Sequence, residues 1–498
     1  MKEKIKTRTK IAGWIFVVLL VLSLVLLNDS LLPKYTLQNN TWASTSTYRQ
    51  FYKMKKNSID VLFLGSSLVV NSIIPQEIYN AYGITSYNLG SEQQSIFLSY
   101  YWLKEALSYQ TPKAVVLDLF FMTDLHSDDP INTTEPLTRK CLDSMKLSSM
   151  KMEAVQELCK LDPEQTVESY YFTNTWFHSR WKEMTAADFN GDLINEAQLK
   201  GFCPKTNKGK VEFQPFEPRN PYAHTTFSPV MQEYLDKTVA LCKENGIRLV
   251  LIDLPRTMNA VDNAIYNTHS EYARFMGVEY YNLGSKEHFE KMGAEFPWES
   301  NIDHQNLWGA IKTSRYLGYL LKEDLGLEAK KDEQYENTKD YYKQTQKSAG
   351  LKRIRKDKAA YLKALNESHF AVFLVTKGDA SAVLQQPEVK TGLKDLGLSA
   401  EKEMQPETNY LAQIVSGKVE AEQSSMDLLR EIGSFRNGLT RLTMQSGPDE
   451  EDHTTGFIRI DNEEYTTEDG GLLILVYDLN TCKVIDRVTF YEDKMTRS

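Results

Sequence analysis

Three short stretches carry residue types that together can do acyl chemistry. In FLGSSLVVNSI (Phe63 to Ile73) an apolar run drives into a glycine and two serines and then into a helix-like stretch. A serine hydroxyl is a weak nucleophile, so it needs a base within hydrogen-bond reach and donors aimed at the oxyanion. YNLGSEQQS places Gly90 at the end of a second apolar run, where a backbone N–H meets no side chain. ESNIDHQNLWGAIKTSRYLGYLL carries His304 just ahead of an amphipathic helix. The order supplies a serine in the Gly65-Ser66-Ser67 turn, Gly90 as an oxyanion glycine and His304 as a histidine. Asp303, beside His304, is the available acid; an N-cap of the closing helix is the other reading of that residue. For this chemistry Ser67 Oγ must lie within about 3 Å of His304 Nε2.

Such groups need a frame. Between Asn57 and Leu325, IDVLFLG, SYNLG, AVVLDLFF, IRLVLIDLP and VEYYNLG alternate with amphipathic stretches such as QQSIFLSYYWLKEALSY. Short apolar runs separated by helical patterns read as buried parallel strands of an α/β sheet. Ligands of open α/β sheets bind at the carboxyl ends of the strands, where Ser67 would stand. Residues 122–229 lack this rhythm and read as an insertion over one face. Within it, HSDDP (His126 to Pro130) has no third ligand at diagnostic spacing and reads as a solvated turn. Asp253, at the end of IRLVLID, fits either a ligand contact or a turn.

The chain has 498 residues, 41% hydrophobic, with a net charge of −9, which is long enough for two folded units. The acidic balance excludes a nucleic-acid partner that is held by clustered Lys and Arg. Five cysteines show no C-x-x-C and no metal-like pairing with the eight histidines, so no metal or cofactor is expected. Cys141 and Cys159 are the only pair considered for a bridge. At the N-terminus a basic segment (1–10) precedes an unbroken apolar run, Ile11 to Leu27, roughly 26 Å long as a helix. The expectation is a single-pass signal anchor over 11–28 with a cytoplasmic N-terminus and an extracytoplasmic bulk. A cleaved signal peptide is the competing reading.

The opening serine turn and the closing His-x-Asn-x-x-Gly-Ala resemble the SGNH (GDSL-like) hydrolase superfamily over roughly Ile59 to Leu325. The resemblance implies a flavodoxin-like three-layer α/β/α sandwich with a parallel sheet at 57–327, following a juxtamembrane segment at 29–56. It also implies Ser67, and not Ser66, as nucleophile, the N–H groups of Ser67 and Gly90 as oxyanion donors, and His304 as base. Ser66 stands where the family usually has Asp, and the third-block asparagine is missing from VVLDLFFMTD. Asn301 stands where the family's acid usually does, a secondary candidate for holding the imidazole though a weaker stabiliser of imidazolium than an anion. An anchored domain of this kind is similar to the D-alanyl-lipoteichoic acid biosynthesis protein and to alginate-type O-acetyltransferases. Those relatives imply O-acyl transfer, or esterase action, on a cell-envelope glycan or teichoic acid, commonly beside a membrane-bound O-acyltransferase. TNTWFHSRWKEMT resembles the His-x-Arg-Trp stretch of such relatives and makes His178 and Arg180 secondary site candidates.

After residue 327 the composition turns charged and polar, giving a helical linker at 328–365. The remainder, 366–498, is expected to be a β-rich α/β domain with turns at DGG and DLNTC. FAVFLVTKGDASAVL, LKDLGL and GGLLILVYDLNTCKVIDRVTF resemble an interleukin-like EMT inducer (ILEI/PANDER-like) domain, which implies carbohydrate or partner binding without catalysis. The rival to the enzyme is therefore an inactive SGNH scaffold that binds envelope glycan or an assembly partner.

Overall fold

Four consecutive apolar residues find a place where a strand is covered on both faces, and Val61–Gly65 (β1) is such a strand, buried along its whole length. The computed structural model describes residues 2–30, 44–122, 129–172, 198–206, 220–256, 262–293, 300–301, 304–399, 405–451 and 453–497. The chain divides into two compact units, Met1–Lys339 and Asp340–Ser498.

In the first unit α1 (Lys2–Ser30) and α2 (Ser44–Phe51) precede β1, α3 (Ser67–Ser72), α4 (Pro75–Tyr82), β2 (Ser86–Gly90), α5 (Ile96–Leu107) and β3 (Ala114–Asp118). Then follow α6 (Glu135–Asp143), α7 (Ser149–Leu161), α8 (Val167–Tyr171), α9 (Pro229–Glu244), β4 (Arg248–Asp253), α10 (Asp262–Met276), β5 (Glu279–Asn282) and α11 (Lys286–Lys291). A short hairpin, β6 (Ser300–Asn301) and β7 (His304–Gln305), leads into α12 (Leu307–Glu323) and α13 (Glu333–Glu336). The five long strands pair in parallel in the order β2-β1-β3-β4-β5, so that the strand order reverses beside β1, as in doubly wound sheets.

Period-two alternation divides each strand between two cores. Leu62, Leu64, Val115 and Leu117 face one side with Trp102 of α5 and Leu235 of α9. Val61, Phe63, Ala114 and Val116 face the other with Val69 of α3, Ile78 of α4 and Leu317 of α12. The helices α6 to α8 of the inserted segment add Cys141, Val155, Leu158 and Tyr170 to the first core. All five cysteines are free, so Cys141 and Cys159 are not bridged.

The membrane anchor is corrected by the structure. The apolar N-terminal run does lie in one helix, α1, but among the described residues no helix is long and apolar enough to cross a membrane. The single-pass topology, the signal anchor in the fold assignment and the localisation derived from them are therefore withdrawn. What stands is a mixed α/β chain with a parallel five-stranded sheet and antiparallel β-rich sheets towards its C-terminus.

The second unit continues with α14 (Lys339–Leu351), α15 (Lys358–Ala364), β8 (Phe370–Lys377), α16 (Ser381–Leu384), α17 (Pro387–Asp395), β9 (Asn409–Val415) and β10 (Lys418–Ser425). Its later strands are β11 (Leu429–Phe435), β12 (Thr440–Pro448), β13 (Thr454–Ile460), β14 (Glu463–Thr466), β15 (Gly471–Asp478), β16 (Lys483–Phe490) and β17 (Met495–Arg497). A six-stranded sheet, β10-β9-β8-β15-β16-β17, and a four-stranded sheet, β11-β12-β13-β14, result. The central pair is apolar on both sides for a reason. Phe370, Val372 and Leu374 of β8 with Leu472, Ile474 and Val476 of β15 pack against the helices, while Phe373, Val375, Leu473 and Leu475 pack with Leu442 and Ile458 of the second sheet.

Trp102 tests the first core. It is fully buried and stacks on Tyr48, with ring centroids 4.1 Å apart and planes 8° from parallel. Trp102→Ala is expected to cost about 3–5 kcal/mol of unfolding free energy, measured by equilibrium denaturation.

Candidate active site

The chain leaves β1 through Gly65, whose φ of +146° is one that side chains rarely tolerate. A Cβ there would also stand 2.8 Å from Val69 Cγ2 and 2.9 Å from Asp118 Cβ. The tight corner lets α3 start immediately. Ser66 is its N-cap, with Oγ accepting the Leu68 N–H at 3.3 Å, and is almost wholly buried. Its hydroxyl is committed to the helix end. Ser67, the first residue of α3, is half-buried and presents its hydroxyl 2.7 Å from His304 Nε2.

His304 comes from β7, paired antiparallel with β6 so that His304 lies opposite Asn301 in the backbone register. The next residues fix its position. Gln305 is buried and accepts the Thr313 hydroxyl at 2.9 Å, and Asn306 caps α12 by accepting the N–H groups of Trp308 and Gly309 at 3.0 and 3.2 Å. The cap of the closing helix is thus Asn306. Asp303, His178 and Arg180 lie outside the described residues, as does His126.

A segment of the inserted region, residues 198–206, ties the two halves of the site together. The Cys203 N–H donates to Val70 O at 2.7 Å, and the Leu307 N–H donates to Lys205 O at 2.8 Å. Asn71 Nδ2 donates to Cys203 O at 2.7 Å, and the Asn88 N–H donates to Lys200 O at 3.0 Å. The strap therefore touches the serine helix, the middle of β2 and the first residue of the helix behind the histidine. At the other end of α3, Asn88 Nδ2 donates to Ile73 O at 2.8 Å.

Gly90 stands level with Gly65 in the β1/β2 register. A Cβ on Gly90 would sit 2.6 Å from Gly65 O and 3.4 Å from Ser66 O, both backbone atoms of the nucleophile turn. Ser67 N heads a helix, at a position whose N–H has no acceptor within that helix. Both oxyanion candidates are accordingly at the carboxyl edge of the sheet, on either side of the same turn.

Two carboxyl groups lie behind this edge. Asp118 is buried next to Gly65 and accepts the Leu254 N–H at 3.3 Å. Burial, and then the charge of Asp253, push its pKa up to about 8, so it carries its proton at neutral pH. The Asp253 carboxylate is held by side chains of other elements. It is buried, 2.8 Å from His269 Nδ1, and accepts the Tyr280 hydroxyl at 2.5 Å. Among the described residues no group of His, Cys, Asp and Glu has the arrangement of a metal site. No protein-family model matches the chain, and no curated protein matches it.

Sequence reasoning passed over Asn88, Asp118, the strap and the capping role of Asn306, which it read only as part of the closing motif. The three residues did leave a signal: Asn88 and Asp118 are polar residues inside otherwise apolar strands, and Asn306 directly precedes an amphipathic helix. A polar residue in such a place survives burial only with a partner or a proton.

Two measurements probe this edge. Gly90→Ala forces a methyl group onto the Gly65 carbonyl and is expected to cost about 1–3 kcal/mol of stability and to slow acylation of Ser67 by an active-site probe. For Asp118 the folded pKa of about 8 exceeds the ordinary 3.8. Its contribution to stability is complete below pH 4 and is lost as pH rises through 8, because in that window only the folded state holds the proton. Urea unfolding should show up to ~3 kcal/mol of this loss between pH 5 and 7, and Asp118→Asn should flatten that slope.

Proposed function

We propose that this chain is a serine-dependent acyl-transfer enzyme of the SGNH type, an O-acyltransferase or esterase acting on hydroxyl groups of a polysaccharide or teichoic-acid polymer. The observation that carries the reading is the 2.7 Å approach of Ser67 Oγ to His304 Nε2 at the carboxyl edge of a parallel sheet. In the first step the Ser67 hydroxyl gives its proton to His304 Nε2 as Oγ bonds to the acyl carbonyl carbon. The N–H groups of Ser67 and Gly90 receive the oxyanion. Collapse expels the leaving alcohol, which takes the proton from His304, and leaves acyl-Ser67. An acceptor hydroxyl then attacks the acyl group and gives its proton to His304, and Ser67 recovers a proton as it leaves. A sugar hydroxyl as acceptor makes the enzyme a transferase, and water makes it an esterase. The second unit, on its resemblance to a non-catalytic carbohydrate-binding type, serves as the binding module.

A fluorophosphonate probe with mass mapping tests the reading. Ser67 is expected to carry the label, Ser67→Ala to abolish it, and His304→Ala to slow it by about 10²–10⁴-fold. Ser66→Ala should still label while losing about 1 kcal/mol of cap stability. Labelling that is equal in Ser67→Ala, or absent from the wild-type chain, would overturn the enzyme and leave the scaffold.

A further inference from the structure

The strap carries a residue that is costly twice over. Lys200 takes φ +56°, in the left-handed region where an amino acid with a Cβ is strained, and its side chain is buried although it ends in a basic group. Gly201 follows at φ +87°, and a Cβ there would stand 2.3 Å from Asn88 O. The strap is thus pressed against β2 where the Lys200 carbonyl accepts the Asn88 N–H at 3.0 Å. Backbone strain and a buried amine on one residue persist only where the surroundings hold both.

The last residues of the first unit form the socket. Lys200 Nζ donates to Thr338 Oγ1 at 3.0 Å and to Gln198 O at 3.2 Å, and lies 4.9 Å from the centroid of the Tyr335 ring. The socket is itself fixed: the Thr338 hydroxyl donates to Gln76 Oε1 of α4 at 2.7 Å, Gln76 Nε2 donates to Tyr335 O at 3.1 Å, and the buried Tyr335 donates its hydroxyl to Ser86 O. Desolvation lowers the Lys200 pKa from 10.5 to about 8, opposed by the charge of Asp332 at the start of α13. The other titratable groups on the packed elements are engaged elsewhere, Glu336 with Tyr79 and Lys339, Glu77 with Arg315, and the Tyr87 hydroxyl with Thr47 O.

The route from this amine to the catalytic pair is continuous. Three residues beyond Lys200, the N–H and carbonyl of Cys203 bind Val70 O and Asn71 Nδ2 of the serine helix, and two residues further the Lys205 carbonyl accepts the N–H of Leu307, three residues after His304. We propose that Lys200 is a positioning residue for the catalytic pair: seated against Thr338 and Tyr335, it holds the strap closed on α3 and α12 and so keeps Ser67 Oγ at His304 Nε2. Its effect on Ser67 reactivity rests on the acyl-transfer reading; its closure of the strap does not.

Hydrogen exchange of the Cys203 and Leu307 amides in the full chain tests the latch without turnover, with fluorophosphonate labelling of Ser67 alongside. Lys200→Ala and Thr338→Val should each raise the opening of both amides at least tenfold and slow labelling at least fivefold, while the Leu64 amide of β1, the reference for global unfolding, stays within about threefold. Thr338→Ser, which keeps the hydroxyl, should behave as wild type, and Thr338→Val should add less than threefold to Lys200→Ala, because its partner is already gone. The closed strap gives up the Lys200 proton near pH 8 and an open one near 10.5, so opening takes up a proton in between and rising pH disfavours it. Opening in the wild-type chain, corrected for intrinsic exchange, should therefore fall by up to about tenfold per pH unit from pH 8 to 10, and Lys200→Ala should abolish that slope. The wild-type slope and the Thr338 variants keep the test valid if Lys200→Ala does not fold. Exchange that is indifferent to these variants, additive effects of Lys200→Ala and Thr338→Val, or a pH slope that survives Lys200→Ala overturns the proposal, as does labelling that is unchanged when the amides open. Labelling with no exchange response removes the latch and keeps the enzyme; the exchange response with no labelling in the wild-type chain keeps the latch and removes the enzyme.

Discussion

The site depends on one hydrogen bond between residues 237 positions apart, Ser67 Oγ to His304 Nε2. A serine and a histidine placed independently by two flexible segments would meet at this distance only for a fraction of the time, since each loses conformational freedom in being held. Here neither is placed independently. The serine opens a helix whose start is fixed by the Gly65 corner and the Ser66 cap, and the histidine directly precedes the Gln305 and Asn306 anchors of α12. Residues 198–206 then join the two helices through backbone and amide hydrogen bonds. Preorganisation of this kind is what a nucleophile and base need, because misplacement by about 1 Å costs ~10²-fold in rate.

Close packing sets the second constraint. Gly65 and Gly90 are adjacent in register, and the space a side chain would need at either is filled by the other strand's turn, by Val69 or by Asp118. The protonated state of Asp118 belongs to the same economy of space. A charged carboxylate buried beside Asp253 would carry a large desolvation and repulsion cost, and the proton removes it.

Much of the scaffold was legible because its signal is local. The apolar runs became strands, and both turns of the second unit are where their residues place them: Gly470 takes φ +77°, and Asp478 Oδ1 accepts the N–H groups of Asn480 and Thr481. The positions of Ser67 and Gly90 at strand ends and of His304 ahead of a helix were readable from the same patterns. The strap was not, since its role lies in long-range backbone bonds of Cys203 and Lys205 that no periodicity encodes. The apolar N-terminal run misled in a different way: hydropathy marked it, but among the described residues no helix is long and apolar enough to cross a membrane.

The strap and the hairpin have a consequence for how the chain is made. The serine lies in the βα unit formed by β1 and α3, while the strap that pins its helix follows more than a hundred residues later and the histidine 237 residues later. Contacts of such separation form late, after loop closure has been offset by the packing of the sheet. Throughout synthesis the chain therefore carries Ser67 as an ordinary alcohol. Its pairing with His304, on which the proposed acyl transfer rests, forms only when nearly the whole first unit has folded.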